Sequence, residues 1–249
     1  MWALVPLKNF AQAKQRLSAV LNPEERRGLF EAMAKDVLSI LKSHPDIENT
    51  LVVSVDPVAR QLATQYDAEF LDESNFKFRD SNTGGLNATV QAAVDGLAYR
   101  GIDEVMIIPG DVPLISADEI SYLVDAHRRQ NPPYLLPTLT IAPDGCREGT
   151  NCLLCTPATS IKYCYGNNSF ALHTNQASHI AMSLQIVSLP GVSCDIDTPE
   201  DLAVLIKQAD QNNAFHSHRY IVSNDLEDRL DEIKSQSSDH LALQYGRAS

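Results

Sequence analysis

The sequence lacks the glycine-rich fingerprints of the two commonest nucleotide-binding folds. It contains no G-x-G-x-x-G and no G-x-x-x-x-G-K-[ST], so neither a dinucleotide-binding Rossmann enzyme nor a P-loop NTPase is indicated. The G-x-S-x-G of serine hydrolases and the H-E-x-x-H of zinc peptidases are also missing. An anionic ligand of this protein must therefore be held by some other loop.

Basic residues are scarce, since 20 Lys and Arg stand against 32 Asp and Glu for a net charge of −12. Such a charge repels the phosphate backbone that dominates nucleic-acid affinity, so no nucleic-acid partner is expected. The deficit is uneven, because residues 1–35 carry six Lys and Arg against three Glu. A local basic region in an acidic protein suits a small anionic ligand.

Long apolar runs and an even set of cysteines are both absent. Without about 18 consecutive apolar residues, neither a membrane span nor a signal peptide is predicted, and no membrane partner is expected. Five cysteines in a chain of 249 residues, which can bury a core without disulfides, indicate reduced thiols and a cytoplasmic protein. Cys152 and Cys155 lie three apart on a predicted strand, so they should point to opposite faces and cannot share a metal.

Strand-like and helix-like patterns alternate along the chain, which predicts a mostly parallel sheet covered by helices. Asn22-Pro23 predicts a helix start, and Leu29, Met33, Val37 and Leu41 predict its buried stripe. Further predicted elements include a central strand over 104–111, a helix over 117–129, strands in 134–140 and 151–155, a helix over 170–182 and a last amphipathic helix after Asp197.

The composition turns polar after about residue 210, so we divide the chain into a domain at 1–210 and a C-terminal extension at 211–249. Asn224 could cap a short helix in the extension that carries Leu226, Leu230 and Ile233 on one face. A solvated tail with one docked helix is the favoured interpretation. A contact in a homodimer is the alternative.

Three charged loops could hold a phosphorylated ligand. Lys8, Lys14 and Arg16 follow the first strand closely and could bind phosphate oxygens, although solvated surface charges would have the same pattern. Asp111 ends the central strand, where open α/β sheets bind ligands, and its carboxylate suits Mg²⁺. Asp197 follows the last predicted strand, at 184–189, in the acidic segment 195–197. Either aspartate could instead merely cap a helix.

Polar loops elsewhere could contact the rest of a ligand. Gly84 and Gly85 permit close approach of the backbone to a ligand, and the Asn87 amide could read a base edge, although a plain loop before a helix fits equally well. The loops 149–151 and 166–169 are rich in hydroxyl and amide groups that suit an anion.

Six blocks taken in order, VPLKNFAQAKQRL, GGLNATVQAA, PGDVPLI, PDGCREGTNCLL, YGNNSFALH and DIDTPEDL, resemble the guanylyltransferases of coenzyme F-420 biosynthesis. These enzymes activate a phosphorylated three-carbon acid: phospholactate, phosphoenolpyruvate or 3-phosphoglycerate. The resemblance covers about residues 2–206. It implies a single Rossmann-like α/β domain of the nucleotidyltransferase type, related to enzymes that guanylylate molybdopterin.

The resemblance also implies a reaction, in which GMP passes from GTP to the phospho-acid with release of pyrophosphate. A downstream deazaflavin transferase would then use the product. Asp111, Asp197 and Lys14 would form the catalytic set. Residue roles implied in this way are Mg²⁺ binding by Asp111 and Asp197 with Asp195 as an alternative, phosphate binding by Lys8, Lys14 and Arg16, a place near guanine for Gly84, Gly85 and Asn87, and acid binding by Thr150, Gly166 and Ser169.

The sequence departs from the family where Asn167-Asn168 replaces a usual Pro-Gly, which puts the identity of the acid in question. Asn tolerates a positive φ better than most residues, so the turn itself should form. Two rivals stay open at this point. One is a cytidylyltransferase or molybdopterin nucleotidyltransferase, and the other is a GTP-binding regulator without catalysis.

Overall fold

The computed structural model describes residues 1–75, 85–129, 136–209 and 216–230. The strands are β1 (Trp2–Pro6), β2 (Asn49–Ser54), β3 (Glu69–Asp72), β4 (Val105–Ile107), β5 (Thr138–Pro143), β6 (Thr150–Thr156) and β7 (Ser183–Ile186). The helices are α1 (Pro23–Ser43), α2 (Pro57–Gln65), α3 (Leu86–Tyr99), α4 (Ala117–Arg129), α5 (Ser169–His179), α6 (Pro199–Ala209) and α7 (His216–Ser223). None of these described helices is both long and apolar enough to span a bilayer.

The strands form one sheet in the order β3-β2-β1-β4-β6-β5-β7, with only β6 antiparallel to its neighbours. This confirms the predicted α/β fold with a mostly parallel sheet. The reversal of β6 follows from its connection to β5, because residues 144–149 are too few for the crossover that a parallel pair needs. The predicted strand over 104–111 is shorter, since the chain leaves the sheet after Ile107.

Apolar side chains of the sheet pack into two clusters, one on each face. Cys152 belongs to one cluster and Cys155 to the other, so the two thiols lie on opposite faces as predicted. All five cysteines are free thiols. Burial raises the pKa of both Cys152 and Cys155 to about 12, which keeps the thiols protonated at neutral pH.

Helix α1 is the longest described helix and lies on the face that contains Cys152. The Asn22 side chain accepts from the Glu25 backbone N–H at 3.0 Å, and the Glu25 carboxylate accepts from the Asn22 N–H, which confirms the predicted start. The predicted stripe is fully buried. Phe30 on the same helix packs on Phe10, with ring centroids 4.7 Å apart.

Helix α7 docks on α1 through the buried carboxylate of Asp36. This carboxylate accepts hydrogen bonds from the backbone N–H groups of His216 and Ser217, at 2.5 and 2.9 Å. Gly28 allows the close packing, because a Cβ there would come within 2.3 Å of the Tyr220 hydroxyl. Helix α7 therefore lies before the helix that the sequence predicted after Asn224.

Residues 226–230 are also helical, and Leu226 and Leu230 are buried against the same core. Asn224 does not cap this turn, because its amide donates to the Tyr220 carbonyl at 2.8 Å and ties the segment to α7. Ile233 and the domain boundary at residue 210 lie outside the described residues. The boundary stays a prediction.

Candidate active site

Two carboxylates from distant parts of the chain meet at one lysine. Lys14 Nζ lies 2.7 Å from Asp111 Oδ2 and 2.7 Å from Asp197 Oδ1, and the Lys14 side chain is only 4% exposed. We call these three residues the ionic cluster. Because both carboxylates contact the same nitrogen, they also lie close to each other.

The loop after β1 holds Lys14 in place through buried apolar anchors on both sides. Phe10 and Leu17 are buried in the core, and the Phe10 N–H donates to the Asp56 carboxylate at 2.8 Å. Between these anchors Lys14 adopts a left-handed backbone conformation, with φ of 54°. Such a conformation is uncommon for a residue other than glycine, and here it brings the ammonium group to the ends of the strands.

A backbone hydrogen bond joins the two acidic loops. The Ile196 N–H donates to the Asp111 carbonyl at 3.0 Å, so the segment 195–197 lies directly beside the end of β4. Gly110 allows the same loop to pack on the segment after β1, since a Cβ there would lie 2.3 Å from the Leu7 side chain. The backbone bond from Ile196 to Asp111 brings residues 86 positions apart to one cation, although β6 and β5 separate β4 from β7 in the sheet.

Helix capping, the structural alternative for both aspartates, is performed by other residues. Ser116 and Glu119 form a reciprocal capping box at the start of α4. At the start of α6 the Asp201 carboxylate accepts from the Thr198 N–H, and the Thr198 hydroxyl accepts from the Asp201 N–H. The carboxylates of Asp111 and Asp197 are therefore left for Lys14.

Burial and charge act in opposite directions within the ionic cluster. Burial alone would lower the pKa of Lys14, but Asp111 and Asp197 raise it above the ordinary value. Burial alone would raise the pKa of Asp197, and the charge and hydrogen bond of Lys14, with the charges of Lys8 and Arg16, lower it overall. Lys14 and Asp197 are thus charged at neutral pH.

Asp195 differs from the two aspartates that contact Lys14. Burial, together with the charges of Asp111 and Asp197, raises its pKa despite a hydrogen bond from Asn151. That bond runs from Asn151 Nδ2 to Asp195 Oδ1 at 3.0 Å, and the same amide also donates to the Val192 carbonyl. Asp195 is therefore held by a neutral partner at the border of the ionic cluster.

The donor set fits a magnesium ion that is completed by its substrate. Within the described ranges no three His, Cys, Asp or Glu side chains form a metal cluster by themselves. Two converging carboxylates are nevertheless what Mg²⁺ takes from a protein when phosphate oxygens and water supply the other ligands. Lys14 already shows that the two oxygens can hold one cation between them.

A cavity of about 480 Å³ opens beside the ionic cluster. Its walls bring together several loops that the sequence singled out separately. Predicted site residues that line it are Lys8, Lys14, Arg16, Asp111, Asp197, Thr150, Gly166 and Ser169, and Asp195 also lines it. Gly85 and Asn87 do not line this cavity, although Leu86 between them does, and Gly84 lies outside the described residues.

The Asn87 amide makes a contact that the sequence did not predict. Its Nδ2 donates to the Tyr165 carbonyl at 3.0 Å, and its Oδ1 accepts from the Tyr165 N–H at 2.6 Å. The side chain therefore joins the first turn of α3 to the loop that precedes Gly166. A role of Asn87 beside guanine stays a prediction.

The remaining wall consists of the turn between β5 and β6 and the loop before α5. Asn168 has a φ of 57°, so the turn forms with asparagine in the left-handed region, as expected. The Asp144 carboxylate accepts from the N–H groups of Glu148 and Gly149, which shapes the turn before Thr150. The Phe170 N–H donates to the Glu148 carbonyl at 3.2 Å and ties the two segments together.

His173 is a residue of this wall that sequence reasoning missed. It lies behind Thr150 with its ring fully buried, and its Nδ1 is 3.1 Å from Thr150 Oγ1. The sequence did contain a signal, because His173 follows Ser169 by four residues and must share its face of α5. We call Thr150, Gly166, Ser169 and His173 the acceptor cluster.

Comparison with known proteins places this geometry in a family. A family model described as "CofC: Guanylyl transferase CofC like" matches residues 1–232. The chain belongs to this family. The match extends beyond residue 206, where the resemblance seen in the sequence ended, and includes the residues of α7. The predicted nucleotidyltransferase activity class is confirmed.

Three curated relatives in this CofC-like family carry the names of different acids. The chain is 34% identical over 204 residues to phosphoenolpyruvate guanylyltransferase of Conexibacter woesei, covering 82% of this chain and 86% of the relative. It is 32% identical over 213 residues to 2-phospho-L-lactate guanylyltransferase of Methanothermobacter thermautotrophicus, covering 85% and 86%. It is 28% identical over 202 residues to 3-phospho-D-glycerate guanylyltransferase of Colwellia psychrerythraea, covering 81% and 89%.

Solved structures share the fold of this CofC-like chain at low sequence identity. A chain from Desulfovibrio desulfuricans proposed to be a nucleotide-diphospho-sugar transferase superposes with a TM-score of 0.69 at 14% identity, covering 93% of this chain and 98% of that one. A cytidylyltransferase from Leptospira borgpetersenii gives 0.55 at 15% identity, covering 95% and 94%. The fold is therefore that of nucleotidyltransferases.

Proposed function

We propose that this enzyme transfers GMP from GTP to the phosphate of a phosphorylated three-carbon acid and releases pyrophosphate, with Mg²⁺ as cofactor. Membership of the CofC-like family and the names of the three relatives support guanylyl transfer to such an acid. Phospholactate, phosphoenolpyruvate and 3-phosphoglycerate are the candidate acceptors.

The observation that carries the proposal is the convergence of the ionic cluster and the acceptor cluster on one cavity. Lys14, Asp111 and Asp197 line it together with Thr150, Gly166 and Ser169. A nucleoside triphosphate needs cations to neutralise its phosphates. The phosphate of the acid needs hydroxyl and backbone hydrogen-bond donors beside it. A cavity of about 480 Å³ with both kinds of wall suits two anionic reactants in contact.

The chain's own residues would act by positioning and charge. The acceptor oxygen belongs to a phosphate that is ionised at neutral pH, so no side chain has to remove a proton from it. Lys14, with Lys8 and Arg16 at the rim, would neutralise phosphate oxygens, and the acceptor cluster would hold the acid for in-line attack. Mg²⁺ held by Asp111 and Asp197 would stabilise the charge that develops at the α-phosphate.

Asp111 and Asp197 take two of the three N–H donors of the Lys14 ammonium group, which leaves one for a phosphate oxygen. If Asp111 and Asp197 held Mg²⁺ instead, all three donors of Lys14 would be available to the phosphates of the nucleotide. The exchange keeps each carboxylate paired with a positive charge throughout, which avoids a buried, unpaired anion.

The experiment is product analysis by mass spectrometry after incubation with GTP, Mg²⁺ and each of the three acids in turn. A downstream deazaflavin transferase and its acceptor are included to trap an unstable guanylylated product. We expect pyrophosphate and a GMP adduct of at least one acid. Parallel reactions with CTP, or with molybdopterin as the acceptor, test the rival nucleotidyltransferases.

A regulator without catalysis would behave differently in the same assay. GTP would raise its melting temperature, yet no pyrophosphate would form with any of the acids. That result would refute the proposal. Two carboxylates arranged for a cation favour the enzyme, because a sensor of GTP does not need them.

The cellular location and the pathway of the enzyme are part of the same proposal. We propose that it works in the cytoplasm, in keeping with five free thiols, and in coenzyme F-420 biosynthesis, in keeping with its family. A homodimer contact through the residues after 210 stays a prediction that light scattering can test.

A further inference from the structure

The surroundings of His173 determine which of its ring nitrogens carries the proton. The Cys164 backbone N–H points at His173 Nε2 from 2.9 Å. A backbone N–H can only donate, so Nε2 must offer its lone pair. Burial lowers the pKa of His173 to about 4, so the ring is neutral at pH 7. The single remaining proton must then reside on Nδ1.

This tautomer fixes the direction of the next hydrogen bond. His173 Nδ1 lies 3.1 Å from Thr150 Oγ1, so the ring N–H donates and the threonine oxygen accepts. The hydroxyl proton of Thr150 cannot point back toward a nitrogen that already carries a proton. It is available for an acceptor in the cavity that Thr150 lines.

We propose that His173 is a positioning residue which makes the Thr150 hydroxyl a hydrogen-bond donor to an anionic oxygen of the bound phospho-acid. The inference rests on the proposed function, because it assigns a partner to the acid in the same cavity. His173 itself stays behind the wall, with no exposed surface.

The rest of the environment holds the ring in this orientation. Tyr165 meets the His173 ring edge-on, with centroids 5.2 Å apart, and Ser169 lies one turn earlier on α5. The backbone at Cys164 and the side chain of Thr150 belong to different segments, one after β6 and one at its start. His173 therefore connects the two segments that form the acid side of the cavity.

The first test is a double-mutant cycle between His173 and Thr150, with the KM for phosphoenolpyruvate and for GTP measured separately. Thr150→Val removes the hydroxyl at nearly constant shape, and His173→Leu removes the ring donor. We expect each to raise the KM for the acid about tenfold, the size of one hydrogen bond to a charged group. The double variant should be no worse than Thr150→Val alone, and the KM for GTP should change less than about twofold.

Two conservative variants separate positioning from packing. His173→Asn keeps an N–H donor near the position of Nδ1, and Thr150→Ser keeps the hydroxyl, so both should retain most of the affinity for the acid. Multiplying effects in the double variant, about a hundredfold in total, would overturn the proposal, because they would mean that the two residues act independently. Equal increases in the KM for phosphoenolpyruvate and the KM for GTP in the single variants would also overturn it.

A second measurement does not depend on turnover. Long-range proton–nitrogen NMR spectra of ¹⁵N-histidine-labelled protein at pH 7.5, with the His173→Asn variant for assignment, report the tautomer directly. A protonated Nδ1 is expected, and a protonated Nε2 would refute the inference. Absence of product with all three acids would instead refute the proposed function. Failure of the inference about His173 can therefore be distinguished from failure of the proposed function.

Discussion

The ionic cluster and the acceptor cluster lie at the same cavity but satisfy their buried groups in opposite ways. In the ionic cluster, Lys14 balances two carboxylates, and every partner carries a full charge. In the acceptor cluster, a neutral histidine bridges a backbone N–H and a hydroxyl. Under the proposed function, this difference indicates which side rearranges: we expect the ionic cluster to exchange partners when a ligand binds and the acceptor cluster to keep its existing hydrogen bonds.

The largest expected effect comes from removing one charge of the ionic cluster. Asp111→Asn keeps the shape of the side chain but halves the negative charge that Mg²⁺ would share with Asp197. We expect transfer of GMP to fall about 10³-fold while the melting temperature stays within a few degrees of wild type. Initial rates of pyrophosphate release, read beside a thermal melt, measure both.

The matched control is Asp125→Asn, which makes the same change on the exposed face of α4. Asp125→Asn should not change the rate of GMP transfer. A rate close to wild type in the Asp111→Asn enzyme would remove this residue from the metal site and with it the contrast between the two clusters.

Replacing Lys14 with methionine tests the proposed exchange of partners. The rate should fall about 10²-fold, since one cation beside the phosphates is lost. Without the ammonium group, Asp111 and Asp197 repel each other, so Mg²⁺ alone should raise the melting temperature of Lys14→Met more than that of wild type. Lys35→Met, a change of the same charge on the surface of α1, is the control. An identical Mg²⁺ response in all three proteins would argue against the exchange.

Acid should affect the acceptor cluster through His173. Its folded pKa of about 4 lies below the ordinary value of 6.5, so the stability of the neutral ring is complete above pH 6.5 and is lost as the pH falls toward 4. His173 alone should cost about 2 kcal/mol of unfolding free energy at pH 5 relative to neutral pH. Buried His127, also with a pKa of about 4, adds to the loss. Urea melts at pH 7 and pH 5 measure it.

The variant His173→Asn should lose less stability than wild type between pH 7 and pH 5. The exposed His179→Asn serves as the reference and should behave like wild type. If His173→Asn and wild type lost the same amount, the ring would not be the neutral, buried bridge that distinguishes the acceptor cluster.

Local patterns were sufficient to predict most of the framework. The stripe from Leu29 to Leu41, the capped start at Asn22 and the bounds of α4 follow from rules that involve neighbouring residues only. The convergence of Asp111 and Asp197 was an expectation from the family resemblance rather than from local patterns, because β6 and β5 separate the strands that precede the two residues.

Contacts between distant segments were beyond such rules. Helix α7 docks because the Asp36 carboxylate accepts hydrogen bonds from two backbone N–H groups about 180 residues later in the chain. No local pattern near Asp36 or near residues 216–217 predicts this contact. The two bonds between the Asn87 amide and the backbone of Tyr165 were not predicted, and the place of Asn87 near guanine stays a prediction. The place of His173 behind Thr150 depends on a contact between α5 and the start of β6, which no motif around His173 predicts.

The bond between the Ile196 N–H and the Asp111 carbonyl has a consequence for how this protein tolerates change. It joins the two loops through main-chain atoms, which almost every substitution leaves in place, and only proline at 196 would delete the donor. The spacing of Asp111 and Asp197 is thus independent of substitutions in the surrounding side chains. Under the proposed function, we expect that acid preference can change through residues 144–169 while Asp111 and Asp197 keep their positions.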